Sequence, residues 1–243
     1  IEPVLLDDLD LSAKADPEAM ALSWMRDQFD VAFDLSTNDL YRFTLIRLSE
    51  TKHILYGCFH HLIADGFGFA VFSNYLINEY RRYLANQLEP PAAYPSYVDL
   101  LHNSAQYAQS KEYEQDASYW LKKYEVIPEL VLSQKRHKED QGSTYEVPIS
   151  ESSNALLQKL SEQTKANISQ LTIAALLIYL GKTTTQQLFS FGLPLHKRRG
   201  REERKAMGMF SGILPFKGEF TPDQPLSDLI AAVKQTQRDD FRH

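Results

Sequence analysis

The chain has 243 residues, 43% hydrophobic and 24% charged, which is enough to bury one large core or two modest ones and is not the composition of a disordered polypeptide. A formal charge of -6 excludes general nucleic-acid binding, because no net positive field exists to collect phosphates. No apolar run approaches the roughly 18–20 residues needed to cross a bilayer, and no signal peptide is read at the start. The single cysteine, Cys58, has no partner for an internal disulfide. It reads as a small core residue in a reducing, cytoplasmic compartment.

In chain order, residues 42–48 alternate apolar and polar side chains, Ser49-Glu50-Thr51-Lys52 is turn-like, and His53 to Phe59 is a second apolar strand. Together they predict an antiparallel hairpin. The strand runs into His60-His61-Leu62-Ile63-Ala64-Asp65-Gly66, which sets two imidazoles, a carboxylate and a glycine in seven residues. A helix should follow, with Phe69, Phe72, Leu76, Tyr80 and Leu84 on one apolar core face, ending before Pro90-Pro91. One or two helices are expected over 96–124. The polar stretch 133–144 reads as a linker. Beyond it the spacing predicts a strand at Tyr145 to Ile149, helices near 151–165 and 169–181, and a strand at Gln187 to Leu193; Ser150 or Ser152 is the expected N-cap of the first of these helices. Leu226, Leu229, Ile230 and Val233 repeat at helical spacing close to the end of the sequence.

The His60 to Gly66 stretch resembles the HHxxxDG signature of the condensation domains of nonribosomal peptide synthetases, in the chloramphenicol acetyltransferase-like superfamily. Further matches follow the family order. Phe33-Asp34-Leu35 and Leu40 to Leu48 resemble the strand before the histidines, and Tyr97-Val98-Asp99 resembles a shortened YxDY element. Gly192-Leu193-Pro194-Leu195-His196-Lys197-Arg198 resembles GxPxxxR, and Met207-Gly208-Met209-Phe210 with Leu214-Pro215 resembles GxFVNTLP. Ordered matches of this kind are far more specific than the short motif alone.

The resemblance implies an α/β fold of two chloramphenicol acetyltransferase-like lobes: residues 1–140 carrying the HHxxxDG loop, and 141–243 as the beginning of a second, incomplete lobe. It implies amide formation between a carrier-bound acyl or peptidyl thioester and a carrier-bound aminoacyl amine. No metal or nucleotide belongs to the domain, and phosphopantetheine arrives on partner carrier proteins. Carrier proteins and neighbouring synthetase domains are the expected partners, with neither nucleic acid nor membrane among them. The family's opening segment is not recognisable, so the chain reads as a fragment, and self-association through an exposed packing surface is a further expectation.

His61 is the expected catalytic residue, because the amine needs a proton acceptor and imidazole, with a reference pKa of about 6.5, suits that task. His60 should point the opposite way along an extended segment and serve as a hydrogen-bonded structural histidine. Asp65 is expected to fix the loop by pairing with Arg198, as the resemblance implies, and Gly66 to occupy a bend where a side chain would obstruct the backbone or the channel. Most of the run Lys197 to Lys205 reads as a solvated loop paired with Glu202 and Glu203, some of its cations facing an acidic carrier.

Other readings compete. His60, His61 and Asp65 offer metal-ligand atoms, but adjacent strand histidines diverge and no HExxH helix completes a site. No GxSxG elbow supplies a nucleophile. An acyltransferase with a small free acceptor, a degenerate carrier-docking domain and an epimerisation domain are the alternative functions. The run Asp65 to Phe69 lacks the DxVSW continuation of the last. Ser211-Gly212 stands where Val-Asn is usual in the family, and Gly68 where serine is common.

Overall fold

The computed structural model describes residues 6–36, 39–87, 94–129 and 145–243. Its residues gather into two compact units: residues 1–103 with 196–211, and residues 104–195 with 212–243. The expected division near residue 140 falls in a stretch outside the described residues.

The first unit is built on a three-stranded sheet in which β1 (Asp7–Asp10) runs parallel to β2 (Tyr41–Arg47) and β2 runs antiparallel to β3 (His53–Phe59). The hairpin has Thr44 opposite Tyr56 and Ile46 opposite Ile54, so Ile46 and Tyr56 face one side while Phe43 and Phe59 face the other. A parallel pair needs a crossover, and α1 (Pro17–Asp30) supplies it. Neither β1 nor α1 was expected from the sequence. The signal for α1 was nonetheless present: Asp16 accepts the Ala19 N–H at 3.0 Å as N-cap, and Pro17 opens the helix. Ala21 and Trp24 of α1 pack with Leu11, Ile46, Leu48 and Tyr56.

On the opposite face Phe72 of α2 (Gly66–Leu84) packs against Phe43 and Phe59, with ring centroids 5.4 Å away in each case. The apolar stripe of this helix is not a buried core, contrary to expectation: Phe69, Tyr80 and Leu84 are exposed. The sheet residues that meet this helix, Phe43 and Phe59, contact Phe69 and Phe72 in its first two turns, so Tyr80 and Leu84 lie beyond them along the helix.

The second unit holds α4 (Lys111–Lys123), α5 (Glu151–Thr164), α6 (Ile168–Thr183), the antiparallel pair β4 (Leu188–Leu195) and β5 (Gly212–Glu219), and α7 (Leu226–Asp240). The helix α3 (Tyr97–Tyr107) begins in the first unit and ends in the second. Ser150 caps α5 by accepting the Ser153 N–H, and Asn167 with Gln170 forms a capping box on α6. Leu171, Ile173, Ala174 and Leu177 of α6 join Phe189, Phe216 and Phe220 and the α7 residues Leu229, Ile230 and Val233 in one core. The last helix therefore has a packing partner.

Tyr145 to Ile149, expected as a strand, has no regular secondary structure, and Tyr145, Val147 and Ile149 are exposed. Alternation fits these residues for a pleated surface, but a strand exists only where another pairs with it, and none does among the described residues.

A Cβ added at Gly181 of α6 would lie 2.0 Å from the Phe220 ring. Gly181→Ala should destabilise the chain by about 1–3 kcal/mol in urea unfolding, because overpacking outweighs the roughly 1 kcal/mol gain in helix propensity. A stabilised variant would mean that Phe220 yields without cost.

Candidate active site

The site lies in the first unit, where β3 ends. The His60 N–H extends the sheet pairing by donating to the Leu40 carbonyl at 2.8 Å, and Ile63 N–H closes a turn onto the His60 carbonyl at 3.1 Å. His60 is half-buried: its Nδ1 accepts the Leu62 N–H at 3.1 Å and its ring meets Phe33 edge to face. Accepting at Nδ1 puts the proton of the neutral ring on Nε2. His61 is exposed, and among the described residues no hydrogen bond engages its ring. The two histidines differ because a turn starts between them, whereas strand alternation was the expected cause.

Asp65 is fully buried. Its Oδ1 accepts the Gly68 N–H at 2.7 Å and so caps α2, while Oδ2 accepts from Arg198 Nη1 at 2.7 Å, from the Phe210 and Ser211 N–H groups at 3.0 and 2.9 Å, and from the Ser211 hydroxyl at 2.9 Å. Burial alone pushes the carboxyl upward. The Arg198 guanidinium, the Gly68 N–H, the Ser211 hydroxyl and the Phe210 N–H outweigh it and hold the group well below the usual carboxylate range.

Arg198 is just as deeply buried. Beyond Asp65 it donates from Nη2 to the Gly208 carbonyl at 3.1 Å and from Nε to the Glu203 carbonyl at 3.1 Å. The Phe67 and Phe210 rings lie 4.7 and 4.4 Å from its central carbon. A buried cation is thus surrounded by acceptors and π faces, which is what makes its withdrawal from water tolerable. The other cations of this run lie outside: Lys205 pairs with Glu202 at 3.2 Å, and Glu203 accepts the Gly200 N–H at 3.1 Å.

Two glycines permit the close approach of this segment to α2. A Cβ at Gly68 would sit 2.9 Å from the Gly208 carbonyl oxygen, and one at Gly208 would sit 2.2 Å from the Tyr97 ring. Tyr97 also donates its hydroxyl to the Met209 carbonyl at 2.6 Å and meets the Phe210 ring. Gly66 is different. A Cβ there meets nothing within 4 Å, so crowding by its own backbone does not account for this glycine, and the glycine the packing requires is Gly68. The sequence marked Gly68 and Ser211 only as departures from the family pattern; their contacts with Gly208 and Asp65 could not be read from it, since each joins segments more than a hundred residues apart.

Among the described residues no three His, Cys, Asp or Glu side chains converge as a metal site. Asp65 in particular has its oxygens committed to five donors.

The family profile of the condensation domain matches residues 2–243. The chain belongs to the condensation-domain family. This condensation-domain chain is 25% identical over 234 residues to surfactin synthase subunit 1 of Bacillus subtilis (strain 168), covering 94% of the chain and 6% of that protein. It is also 26% identical over 244 residues to the dimodular nonribosomal peptide synthase of the same organism, covering 99% and 10% respectively. Among solved structures it resembles the first condensation domain of the CDA synthetase, at 26% identity and a TM-score of 0.77, over 99% of this chain and 56% of that one. A variant of the starter condensation domain of rhizomide synthetase in complex with C8-CoA gives 26% identity and a TM-score of 0.80, over 100% and 56%. The chain therefore spans a small part of its curated relatives and about half of the solved domains. The α/β architecture matches theirs.

Asp65→Asn and Arg198→Ala should each destabilise the chain by about 3–5 kcal/mol, because each leaves a buried partner uncompensated. The double variant should lose less than the sum in a denaturant cycle. Since the folded carboxyl is held below its ordinary value, its stabilisation is complete above about pH 4 and is lost as pH falls through the folded value. Asp65→Asn should flatten that acid limb; an unchanged limb would place the acid sensitivity elsewhere.

Proposed function

We propose that this chain carries the reactive histidine of a condensation domain and contributes to amide formation between a carrier-bound acyl or peptidyl thioester and a carrier-bound aminoacyl amine. The observation that carries the proposal is the placement of His61: an exposed imidazole on a turn whose next anchor, Asp65, is buried and immobilised. Family membership supports the reaction class. The rhizomide synthetase domain in complex with C8-CoA supports an acyl thioester as donor.

In this reaction the amine nitrogen attacks the thioester carbonyl carbon, a C–N bond forms, the C–S bond breaks, and the thiol leaves with a proton. His61 serves the amine, accepting its proton or orienting its lone pair as the bond forms. Proton acceptance would typically contribute about 10²- to 10⁴-fold, and holding two tethered reactants together can contribute more. His60 holds the turn, Asp65 and Arg198 hold the segment against it, and Gly66 leaves the space beside the turn open to substrate. The domain itself needs no cofactor. Phosphopantetheine enters as the substrate arm of the carrier proteins, and exposed cations such as Arg201 and Arg204 offer an acidic carrier a docking surface. A cytoplasmic setting suits this chemistry, and among the described residues no helix is long and apolar enough to cross a membrane.

A complete condensation domain bearing His61→Ala should lose transfer between loaded donor and acceptor carriers by about 10²-fold or more. His60→Ala, normalised to folded protein, should lose much less. Equal losses would refute the separation of roles, and efficient transfer to a soluble amine without an acceptor carrier would favour the small-acceptor alternative.

A further inference from the structure

The last turn of α1 carries no basic residue, so the carbonyls that end it need donors from elsewhere. Arg42 of β2 supplies them. Its Nη1 donates to the Gln28 and Val31 carbonyls at 3.1 and 2.9 Å, and its Nη2 donates to the Ala32 carbonyl at 2.9 Å. The same guanidinium lies over the Phe33 ring, its central carbon 4.0 Å from the ring centroid. A planar fork can donate along its edges while its face meets a ring. A lysine ammonium cannot do both.

Phe33 in turn meets His60, with the ring centroids 5.7 Å apart and the planes at 89°. His60 Nδ1 accepts the Leu62 N–H at 3.1 Å, a bond that runs from residue 60 to residue 62 and so brackets His61. The bond needs one orientation of the imidazole. With the ring turned over by half a rotation, a C–H would stand in place of Nδ1, and a C–H is no acceptor.

We propose that Arg42 is a positioning residue that acts through Phe33 on His60 and so holds the turn that carries His61. It fixes the end of α1, which fixes Phe33, and Phe33 keeps the His60 ring in the orientation that accepts from Leu62. Asp65 and Arg198 anchor the chain after this turn; Arg42 anchors the residue before it. All of these contacts lie within the first unit. The importance of Arg42 to the reaction rests on the acyl-transfer reading, whereas its hold on His60 does not.

Nitrogen-15 NMR of the imidazoles in the 243-residue chain, at alkaline pH, reads the His60 ring, with His60→Gln assigning its signal and circular dichroism checking the fold. The expected signature is a single tautomer, unprotonated at Nδ1 and protonated at Nε2. Arg42→Lys and Phe33→Leu should each turn it into a mixture of tautomers. Lys52→Ala, which removes an exposed tie of the hairpin to Glu18 of α1 at 2.6 Å, should leave it unchanged. The second readout is transfer between loaded carriers by the complete domain. There Arg42→Lys and Phe33→Leu should lower kcat several-fold with KM for each carrier unchanged, and should add nothing in a His60→Ala background. An unaltered His60 signature in folded Arg42→Lys protein overturns the proposal, as does a kcat loss that adds in full to that of His60→Ala. If Arg42→Lys does not fold, Phe33→Leu decides by the same two readouts. A domain that transfers nothing, but whose His60 signature responds to Arg42→Lys, supports the hold of Arg42 on His60 and overturns the acyl-transfer reading alone.

Discussion

The buried Asp65 carboxylate is the constraint on which the rest of the first unit depends. A charge withdrawn from water is tolerated only if donors replace the solvent, and here the donors come from three parts of the chain: the start of α2, Arg198, and the Phe210-Ser211 backbone. Satisfying one carboxylate therefore specifies where a helix begins and where a segment 133 residues further on must lie. The backbone of 208–211 can reach that position only because Gly68 has no side chain, and Tyr97 then closes the other side of Gly208.

In the proposed reading, this arrangement separates rigidity from reactivity. The groups that hold the loop, namely His60, Asp65, Arg198 and Tyr97, direct their hydrogen-bonding capacity to the protein itself. The neighbouring His61 is left exposed to solvent, as the proposed role of its imidazole requires. The turn that carries His61 is bounded on one side by the β2–β3 pairing and on the other by the buried carboxylate, so its position is set by elements on either side of it.

The two units meet their demand for burial in different ways. The second encloses a core of Leu177, Phe189, Phe216 and the α7 aliphatic residues, and α7 is held at its far end as well, where Asp240 accepts from Tyr119 and Lys123. The first spreads its apolar groups over both faces of a narrow sheet, with α1 on one and the Phe43–Phe59–Phe72 cluster on the other. Phe69, Tyr80 and Leu84 of α2 remain exposed on the second of these faces.

Much of the local structure was legible in the sequence because its causes are local. The 42–59 hairpin followed from alternation and a turn, α5 from Ser150 and its leucines, and α6 and β4 from their apolar runs. The Asp16-Pro17 pair that opens α1 is a local signal of the same kind, although no helix was expected there. The HHxxxDG stretch and its companion segments were enough to identify the family, since residue types in fixed order survive where overall identity falls to 25%. Tertiary structure alone decided the rest. A glycine's purpose depends on which backbone passes over it, so Gly68 could not be told from Gly66. The hydroxyls of Ser211 and Tyr97 acquire roles only when distant segments meet. Tyr145 to Ile149 has the alternation of a strand and is not one, because sequence specifies a strand's faces and only pairing, a property of two segments at once, makes it a strand.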